Sequence, residues 1–246
     1  MRIHVLGTGG AFTEFLGHTA FVVEHDGFLL AIDCPDAYRQ VLAKHRERSG
    51  SSLRVEDIDA WLITHLHGDH CNGLEGVAFY RSFTEQRKTT VYAAEDVAET
   101  YWRDRFNSSM GRMRHPDGHW ETWQREDFFE TWQLHPGVMA MVGPLEVEIR
   151  RTQHALPGTA VRITADGRSW AYSNDTAFDR GLVTWLERGA LIFHETGPGN
   201  FHTPYAQLAE LPAETRERMR LVHYPDDFVE AREEIRTAKP GEIYTV

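Results

Sequence analysis

The sequence predicts an α/β protein in which two β-sheets pack together and helices cover their outer faces. Three observations favour this fold class. Apolar strand-like runs recur along the chain, glycine-containing turns join two pairs of them as hairpins, and strand–helix units follow each hairpin. The same order of elements occurs twice, so each half is expected to supply one sheet. We interpret residues 1–246 as a single domain, since this length is sufficient to bury a sizeable core.

The first half of the chain contains one predicted hairpin and three strand–helix units. The turn His25-Asp26-Gly27 joins the two strands of the hairpin. Taken in order, the predicted elements are a strand over Arg2–Leu6, strands over Thr19–Glu24 and Phe28–Asp33, a helix over Asp36–Arg46, a segment over Asp57–Ile63 that ends in the apolar run Ala60–Ile63, a helix over Gly73–Phe83, a strand over Thr89–Ala93 and a helix over Glu95–Phe106. These elements account for the first sheet and its outer helices.

An aromatic-rich insert at about 107–137 separates the two halves. It contains Trp120, Trp123 and Trp132 among polar residues and shows no sustained periodicity. One interpretation is a long loop packed on the body of the domain. The other is a lid or dimer element that shapes the substrate pocket, because long aromatic loops beside a site often do so.

The second half repeats the pattern of the first. Its hairpin turns at Ala165-Asp166-Gly167-Arg168. The predicted elements are a strand over Leu145–Thr152, hairpin strands over Ala160–Thr164 and Ser169–Ser173, a helix over Phe178–Arg188, a strand over Ala190–His194, a helix over Pro212–Met219, a strand end at Leu221–His223, a helix over Asp227–Thr237 and a strand over Glu242–Val246.

Composition restricts the partners of the protein. The formal net charge is −11, and nucleic-acid backbones are usually gripped by a basic face, so a long polyanion is disfavoured as substrate. A small anion is not disfavoured, because bound metal ions would carry positive charge. No apolar run approaches the roughly 20 residues that cross a bilayer, and no signal peptide is recognisable. We therefore expect no membrane contact and a cytoplasmic location.

The stretch Thr64-His65-Leu66-His67-Gly68-Asp69-His70 is the strongest functional signal in the chain. It follows an apolar run that reads as a buried strand. Three imidazoles and a carboxylate in six positions suit a metal site, and the glycine permits the turn that would let them converge. The spacing H-x-H-x-D-H supplies two half-sites. We interpret it as the core of a two-metal centre.

Three further strand ends carry polar side chains of the right type. They deliver His154, Asp175 and His223. Polar residues at strand termini are where α/β folds place their chemistry. Each one alone is more often a satisfied structural group, but together with the histidine motif they supply the remaining ligands of a metal centre.

At this point the sequence resembles the metallo-β-lactamase superfamily over almost its whole length. The resemblance rests on the T-H-L-H-G-D-H motif, His154, the turn Ser173-Asn174-Asp175-Thr176, and His223 after Leu221-Val222. It implies an αββα sandwich with a dinuclear site at one edge. By this resemblance one metal is held by His65, His67 and His154, the other by Asp69, His70 and His223, and Asp175 bridges the two.

Within the superfamily the chain resembles the tRNase Z-like phosphodiesterases. The matching pieces are Asp175 and the sequences Phe193-His194-Glu195-Thr196 and His202-Thr203. tRNase Z itself typically inserts a tRNA-binding arm between the ligands that match His154 and Asp175, and here a short hairpin stands there. The chain is more similar to the cyclic-nucleotide phosphodiesterases of phage and bacteria that oppose Pycsar defence. The similar stretches are Asp57–Ala60, Gly73–Phe79, Phe201–Tyr205, the Leu211-Pro212 helix start and His223-Tyr224.

This resemblance implies a two-metal phosphodiesterase acting on cyclic nucleotides or another small nucleotide phosphodiester. Asp69 would hold a metal and orient the attacking hydroxide, and His202, oriented by Glu195, would protonate the leaving oxygen. The alternative for Glu195 and His202 is a structural ion pair. Histidine and carboxylate ligands suit Zn, Mn, Co or Fe, and Zn is our default expectation. Relatives are commonly dimers, so a homodimer is expected.

Three other functions remain open at this stage. The first is a tRNase Z-type RNA 3′-end endonuclease, and the second is a metallo-hydrolase of thioesters, lactones or lactams. The third is a binding or regulatory protein that has lost catalysis. Because degenerate members usually lose ligands and all seven are present here, the third is the weakest.

Overall fold

The computed structural model describes residues 1–228 and 234–246. The strands are β1 (Arg2–Gly7), β2 (Ala20–His25), β3 (Phe28–Ile32), β4 (Ala60–Ile63), β5 (Thr89–Ala94), β6 (Arg112–Arg114), β7 (Trp120–Thr122), β8 (Phe129–Leu134), β9 (Ala140–Val142), β10 (Leu145–Arg151), β11 (Thr159–Ala165), β12 (Arg168–Tyr172), β13 (Leu191–Glu195), β14 (Met219–Val222), β15 (Arg236–Thr237) and β16 (Ile243–Thr245). The helices are α1 (Tyr38–Ser49), α2 (Gly68–Cys71), α3 (Gly73–Phe83), α4 (Glu95–Tyr101), α5 (Asn107–Met110), α6 (Arg125–Phe128), α7 (Arg180–Leu186), α8 (Tyr205–Ala209) and α9 (Ala213–Glu217). A 3₁₀ turn over Val55–Asp57 precedes β4, and a π-helical turn over Trp102–Phe106 joins α4 to α5.

Two seven-stranded sheets form the body of the molecule. Their orders are β16-β1-β2-β3-β4-β5-β8 and β15-β14-β13-β12-β11-β10-β9. In both sheets the hairpin strands pair antiparallel, whereas β3-β4-β5 and β12-β13-β14 pair in parallel. The carboxyl ends of each parallel set therefore lie at one edge of its sheet, where α/β folds place their sites.

Side-chain alternation along the strands divides the core into three layers. On β2, Phe21 and Val23 belong to the cluster between the sheets, while Ala20 and Val22 belong to the cluster beneath the outer helices. A third cluster packs α7, α8 and the outer face of the second sheet together. Residues i and i+2 of a strand share a face, so this division is what two stacked sheets require. The predicted αββα sandwich is confirmed.

The segment 107–137 is more ordered than a loop. It contains α5, the β6–β7 hairpin, α6 and β8, and β8 pairs in parallel with β5 as an edge strand of the first sheet. The ring of Trp123 packs on Phe83 and Phe128, with centroids 6.2 and 5.3 Å away. The contact between Trp123 and Phe83 is long-range and leaves no periodic pattern in the segment, and most of its residues are exposed or only partly buried.

The C-terminal part differs most from the sequence prediction. Of the helix predicted over Asp227–Thr237, residues 229–233 lie outside the described residues, and the described residues on either side are not helical: its end is strand β15. In the rest of the chain, the short strand β9 was not predicted, whereas the helix over Gly73–Phe83 has the predicted bounds. No helix within the described ranges has the length and apolar character needed to cross a membrane.

Candidate metal centre

All seven predicted ligands converge at one edge of the sandwich. Each lies in the segment that follows a strand, and because these strand ends meet at one edge, distant parts of the chain come together. His65 and His67 follow β4, Asp69 and His70 lie on the short helix α2, His154 follows β10, Asp175 follows β12 and His223 follows β14. The side chains form two groups of possible ligands that share Asp175.

The first group consists of three imidazoles and one carboxylate. Nδ1 of His67 lies 3.1 Å from Nε2 of His65 and 3.0 Å from Nε2 of His154. Oδ2 of Asp175 lies 3.9 Å from Nε2 of His65 and 3.8 Å from Nε2 of His154. Three ring nitrogens and an oxygen therefore surround a common point.

The second group has two imidazoles and two carboxylates. Oδ2 of Asp69 lies 3.3 Å from Nε2 of both His70 and His223. Asp175 reaches the same nitrogens, with Oδ1 3.4 Å from His70 and Oδ2 3.3 Å from His223. Because its two oxygens serve both groups, Asp175 stands where a bridging ligand would.

The arrangement fits metal ions better than a hydrogen-bond network. Ligands about 2.0–2.1 Å from a tetrahedral ion are about 3.3 Å apart, close to most of these separations. His70 Nε2 and Asp175 Oδ1 are buried without a hydrogen-bond partner. Buried polar atoms are normally satisfied, so an unpaired nitrogen facing an unpaired carboxylate oxygen fits a pair of atoms that bind a cation.

The charge states suit the same purpose. Burial lowers the pKa values of His65, His67 and His154 and so favours the neutral imidazoles that bind metals. Burial alone would raise the pKa of Asp69 and Asp175, but the neighbouring histidines hold both values below the usual range. Burial alone would also lower the pKa values of His70 and His223, but the carboxylates around them, Asp175 first, raise both. The first group thus presents neutral nitrogens, and the second presents anionic oxygens beside two basic imidazoles.

A buried carboxylate that the sequence did not mark as functional orients one ligand. Asp33 follows β3, and its Oδ2 accepts a hydrogen bond from Nδ1 of His70 at 2.7 Å. Thr64 donates to Asp33 from its backbone nitrogen at 2.8 Å and from its hydroxyl at 2.9 Å. The one sequence signal was an acidic residue at a strand end, and Asp33 also has a left-handed φ of 63°.

Arg105, in the π-helical turn, hydrogen-bonds to the loop over residues 64–70. Nη1 of Arg105 donates to the carbonyl of Leu66, between the two histidines of the motif, at 2.7 Å. Nη2 donates to the side chain of Asn72, which in turn donates to Asp36 at 3.1 Å. π-helical turns are rare and recur at functional sites, and this one places Arg105 within hydrogen-bonding distance of the loop over residues 64–70.

Glu195 and His202 lie beside the second group of ligands. Nδ1 of His202 is 3.2 Å from Oε1 of Glu195, and the same oxygen accepts from the amides of Thr176 and Thr203 at 2.9 and 3.1 Å. The ring of His202 stacks on His223 with centroids 5.3 Å apart. The hydrogen bond to Glu195 raises the pKa of His202, which favours its protonated form.

The centre opens into a cavity of about 610 Å³. Its walls include His67, Asp69, Asp175, His202 and His223, together with Gly10 and the fully exposed ring of Phe12. A side chain at Gly10 would meet His223 at 3.2 Å, so the glycine turn after β1 approaches the site closely. The described residues that line this cavity do not include the three tryptophans of the aromatic-rich insert, Trp120, Trp123 and Trp132.

Comparison with known protein families gives a match over nearly the whole chain. The model of the family described as "Anti-Pycsar protein Apyc1" matches residues 1–243. A protein of that name from Paenibacillus sp. (strain J14) is 37% identical over 257 residues, covering 100% of this chain and 99% of the relative.

Two solved structures show the same fold. The metallo-β-lactamase fold protein YhfI from Bacillus subtilis superposes with a TM-score of 0.77 at 17% identity, covering 99% of this chain and 98% of the other. Human tRNase Z, short form, gives a TM-score of 0.70 at 20% identity, covering 100% of this chain and 99% of the other. The αββα sandwich described above is therefore the metallo-β-lactamase fold.

Proposed function

The chain belongs to the Anti-Pycsar protein Apyc1 family, and we propose that it is a two-metal phosphodiesterase that hydrolyses 3′,5′-cyclic nucleotides. The observation that carries the proposal is the pair of ligand groups sharing Asp175 at the floor of a cavity. Two neighbouring cations suit phosphodiester hydrolysis, because that reaction needs an activated water and neutralised phosphate oxygens.

We assign the ligands by the two groups. His65, His67 and His154 would hold one ion, Asp69, His70 and His223 would hold the other, and Asp175 would serve as the ligand shared by both. Zinc is the expected metal, and Mn, Co or Fe suit the same ligands. When bound, such ions supply a hydroxide at neutral pH and offset charge on the phosphate.

The side chains of the protein carry out the remaining tasks. Asp69 is placed to orient the attacking water as well as to bind metal. Attack at phosphorus breaks the bond to the ribose 3′-oxygen, and His202 donates the proton that this oxygen needs. Its Nδ1 is held by Glu195, so Nε2 on the opposite side of the ring is the donor. The product is the 5′-mononucleotide.

The dimensions and charge of the molecule support a small substrate. A cavity of about 610 Å³ lies in the range of small-molecule sites. The net charge of −11 disfavours a long polyanion, and β11 and β12 leave no large arm between His154 and Asp175. We therefore propose that long nucleic acids are not substrates of this protein. We also propose that it acts in the cytoplasm.

We also propose that the protein is a homodimer. The edge strand β8 exposes Trp132, and the edge strand β9 with its preceding loop exposes Val138, Met139 and Met141. Unpaired strand edges that carry large apolar side chains favour association. Light scattering that gives the mass of a monomer would contradict this part of the proposal.

Hydrolysis of the four 3′,5′-cyclic mononucleotides tests the proposed activity. The protein is supplied with Zn²⁺ or Mn²⁺, the products are separated by chromatography, and Asp69→Ala is run beside the exposed control Asp104→Ala. We expect conversion to 5′-mononucleotides by the wild type and the control but not by Asp69→Ala. Two other activities are assayed in parallel. Cleavage of pre-tRNA without cyclic-nucleotide turnover would favour the tRNase Z-type endonuclease, and thioester or lactone turnover alone would favour the other hydrolase class.

A further inference from the structure

A second cluster of metal-binding side chains lies at the tip of the β6–β7 hairpin. The strands pair with Arg114 opposite Trp120, and the chain turns through the sequence His115-Pro116-Asp117-Gly118-His119. The amide of His115 donates to the carbonyl of His119 at 2.8 Å, and the amide of Gly118 donates to the carbonyl of His115 at 2.9 Å. The two histidines are therefore held opposite each other across the hairpin.

The turn itself requires glycine. Gly118 has a φ of 100°, a conformation that side chains rarely adopt. This geometry closes the chain tightly enough for the side chain of Asp117 to fold back between the two histidines. The backbone thus sets the relative position of all three groups before any ligand is bound.

The three side chains meet at one point. Oδ1 of Asp117 lies 3.1 Å from Nδ1 of His115 and 2.5 Å from Nδ1 of His119, and it also accepts from the amide of His119 at 3.1 Å. The two rings stack with centroids 4.7 Å apart and planes 25° apart. One ligand atom from each side chain lies within 4.8 Å of the others.

This donor set matches the preferences of a transition metal. Two imidazole nitrogens and a carboxylate oxygen suit Zn²⁺, Ni²⁺ or Cu²⁺ rather than Mg²⁺ or Ca²⁺, which prefer oxygen alone. The ligands of a tetrahedral ion lie about 3.3 Å apart, which the pair of His115 and Asp117 nearly meets. The pair of His119 and Asp117 would have to open by less than 1 Å, a small movement for a side chain that is 58% exposed.

We propose that the hairpin tip binds one transition-metal ion through His115, Asp117 and His119, separately from the centre at the sandwich edge. Three protein ligands on an exposed turn leave at least one position for water. The ion is therefore bound reversibly and more weakly than the ions of the buried centre. A bound ion crosslinks the two strands of the hairpin. The proposal does not depend on the proposed phosphodiesterase activity.

Metal stoichiometry tests this proposal. Protein without a histidine tag is first saturated at the buried centre with two equivalents of Zn²⁺ and is then titrated with Ni²⁺ or further Zn²⁺ by calorimetry. We expect one additional ion per chain in the wild type and its loss in the double variant His115→Ala/His119→Ala. His135→Ala, which removes a single exposed histidine elsewhere, should retain the additional ion.

Two results would overturn the proposal. One is the absence of a further binding event in the wild type, and the other is an identical event in the double variant. Because the hairpin could lose its shape when both rings are removed, Asp117→Asn is measured as well. It leaves both histidines in place and should weaken the additional site while the two ions of the buried centre stay bound.

Discussion

Asp33 holds His70 in a fixed orientation through a 2.7 Å hydrogen bond between Oδ2 and Nδ1. Both residues are buried, and Thr64 fixes the carboxylate from the other side. With Nδ1 turned to Asp33, Nε2 of His70 faces Asp69 and Asp175, and these carboxylates together with Asp33 raise the pKa of His70. Carboxylate–histidine pairs of this kind orient the imidazoles of metal sites in other proteins and raise their basicity, so the contact suits His70 as a candidate ligand.

Removing the charge of Asp33 should weaken metal binding. In Asp33→Asn the side chain keeps its size, but the amide no longer stabilises the required orientation of His70. We expect one of the two ions of the centre to bind about 10–100-fold more weakly, as measured by competition with a chromophoric chelator. Asp26→Asn is the matched control, because Asp26 also has a left-handed backbone but lies in an exposed hairpin turn. Equal affinities in the two variants would refute the role of Asp33.

His202 should affect catalysis far more than metal content. The variant His202→Gln removes the proposed proton donor and leaves the seven ligands in place. We expect kcat for cyclic nucleotides to fall by about 10²–10⁴-fold while both ions remain bound, as measured by steady-state kinetics and elemental analysis. A variant that retains normal kcat would show that His202 and Glu195 form only a structural pair.

The Glu195 carboxylate should act on His202 through its pKa. The hydrogen bond between them raises the pKa of His202, so a neutral partner would let that pKa fall. A general acid works only while protonated, and activity is lost as the pH rises through its pKa. In Glu195→Gln the alkaline decline of kcat should therefore begin at a lower pH than in the wild type. An unchanged pH profile with reduced kcat would instead indicate that Glu195 acts on the fold.

Arg105 should be required to position the loop over residues 64–70, which contains four of the candidate metal ligands. It is half-buried and bonded to the carbonyl of Leu66, whereas Arg103 in the same π-helical turn is exposed and bonded to Asp104. We expect Arg105→Met to lower kcat about tenfold or more, since misplacing catalytic groups by about 1 Å can cost two orders of magnitude. Arg103→Met should keep wild-type kcat, and similar kinetics for both variants would argue against a positioning role for Arg105.

The convergence of the seven candidate ligands was predictable because much of the site is local in the chain. The motif over 64–70 contains four of them, and His154, Asp175 and His223 each follow a strand that could be recognised by its apolar pattern. Asp33 was not recognised because its role depends on a contact with His70 across 37 positions. Nothing in the residues near Asp33 distinguishes it from an ordinary strand-ending acid.

The structure of the aromatic-rich insert could not be predicted from its sequence. Its composition suggested a loop or a lid, yet Phe128 is fully buried and β8 extends the first sheet. Pairing between β8 and β5 joins residues about 40 positions apart, and only the folded chain shows which aromatic rings meet. Trp123 is partly buried and packs against the core, whereas the aromatic ring in the wall of the cavity belongs to Phe12, in a loop without any motif.

Phe12 should determine substrate affinity. Its ring is 99% exposed and lies at the cavity wall, and the loop is tied down because Asp226 accepts bonds from the Thr13 hydroxyl and the Glu14 amide at 2.5 and 2.6 Å. A large apolar ring in that position suits stacking on a nucleobase, which contributes about 1–3 kcal/mol by alanine substitution. We expect Phe12→Ala to raise KM for cyclic nucleotides about 5–100-fold with little change in kcat. Phe15, which is also exposed on this loop but is not part of the cavity wall, provides the control. If Phe12→Ala and Phe15→Ala give the same KM as the wild type, the base does not stack on this loop.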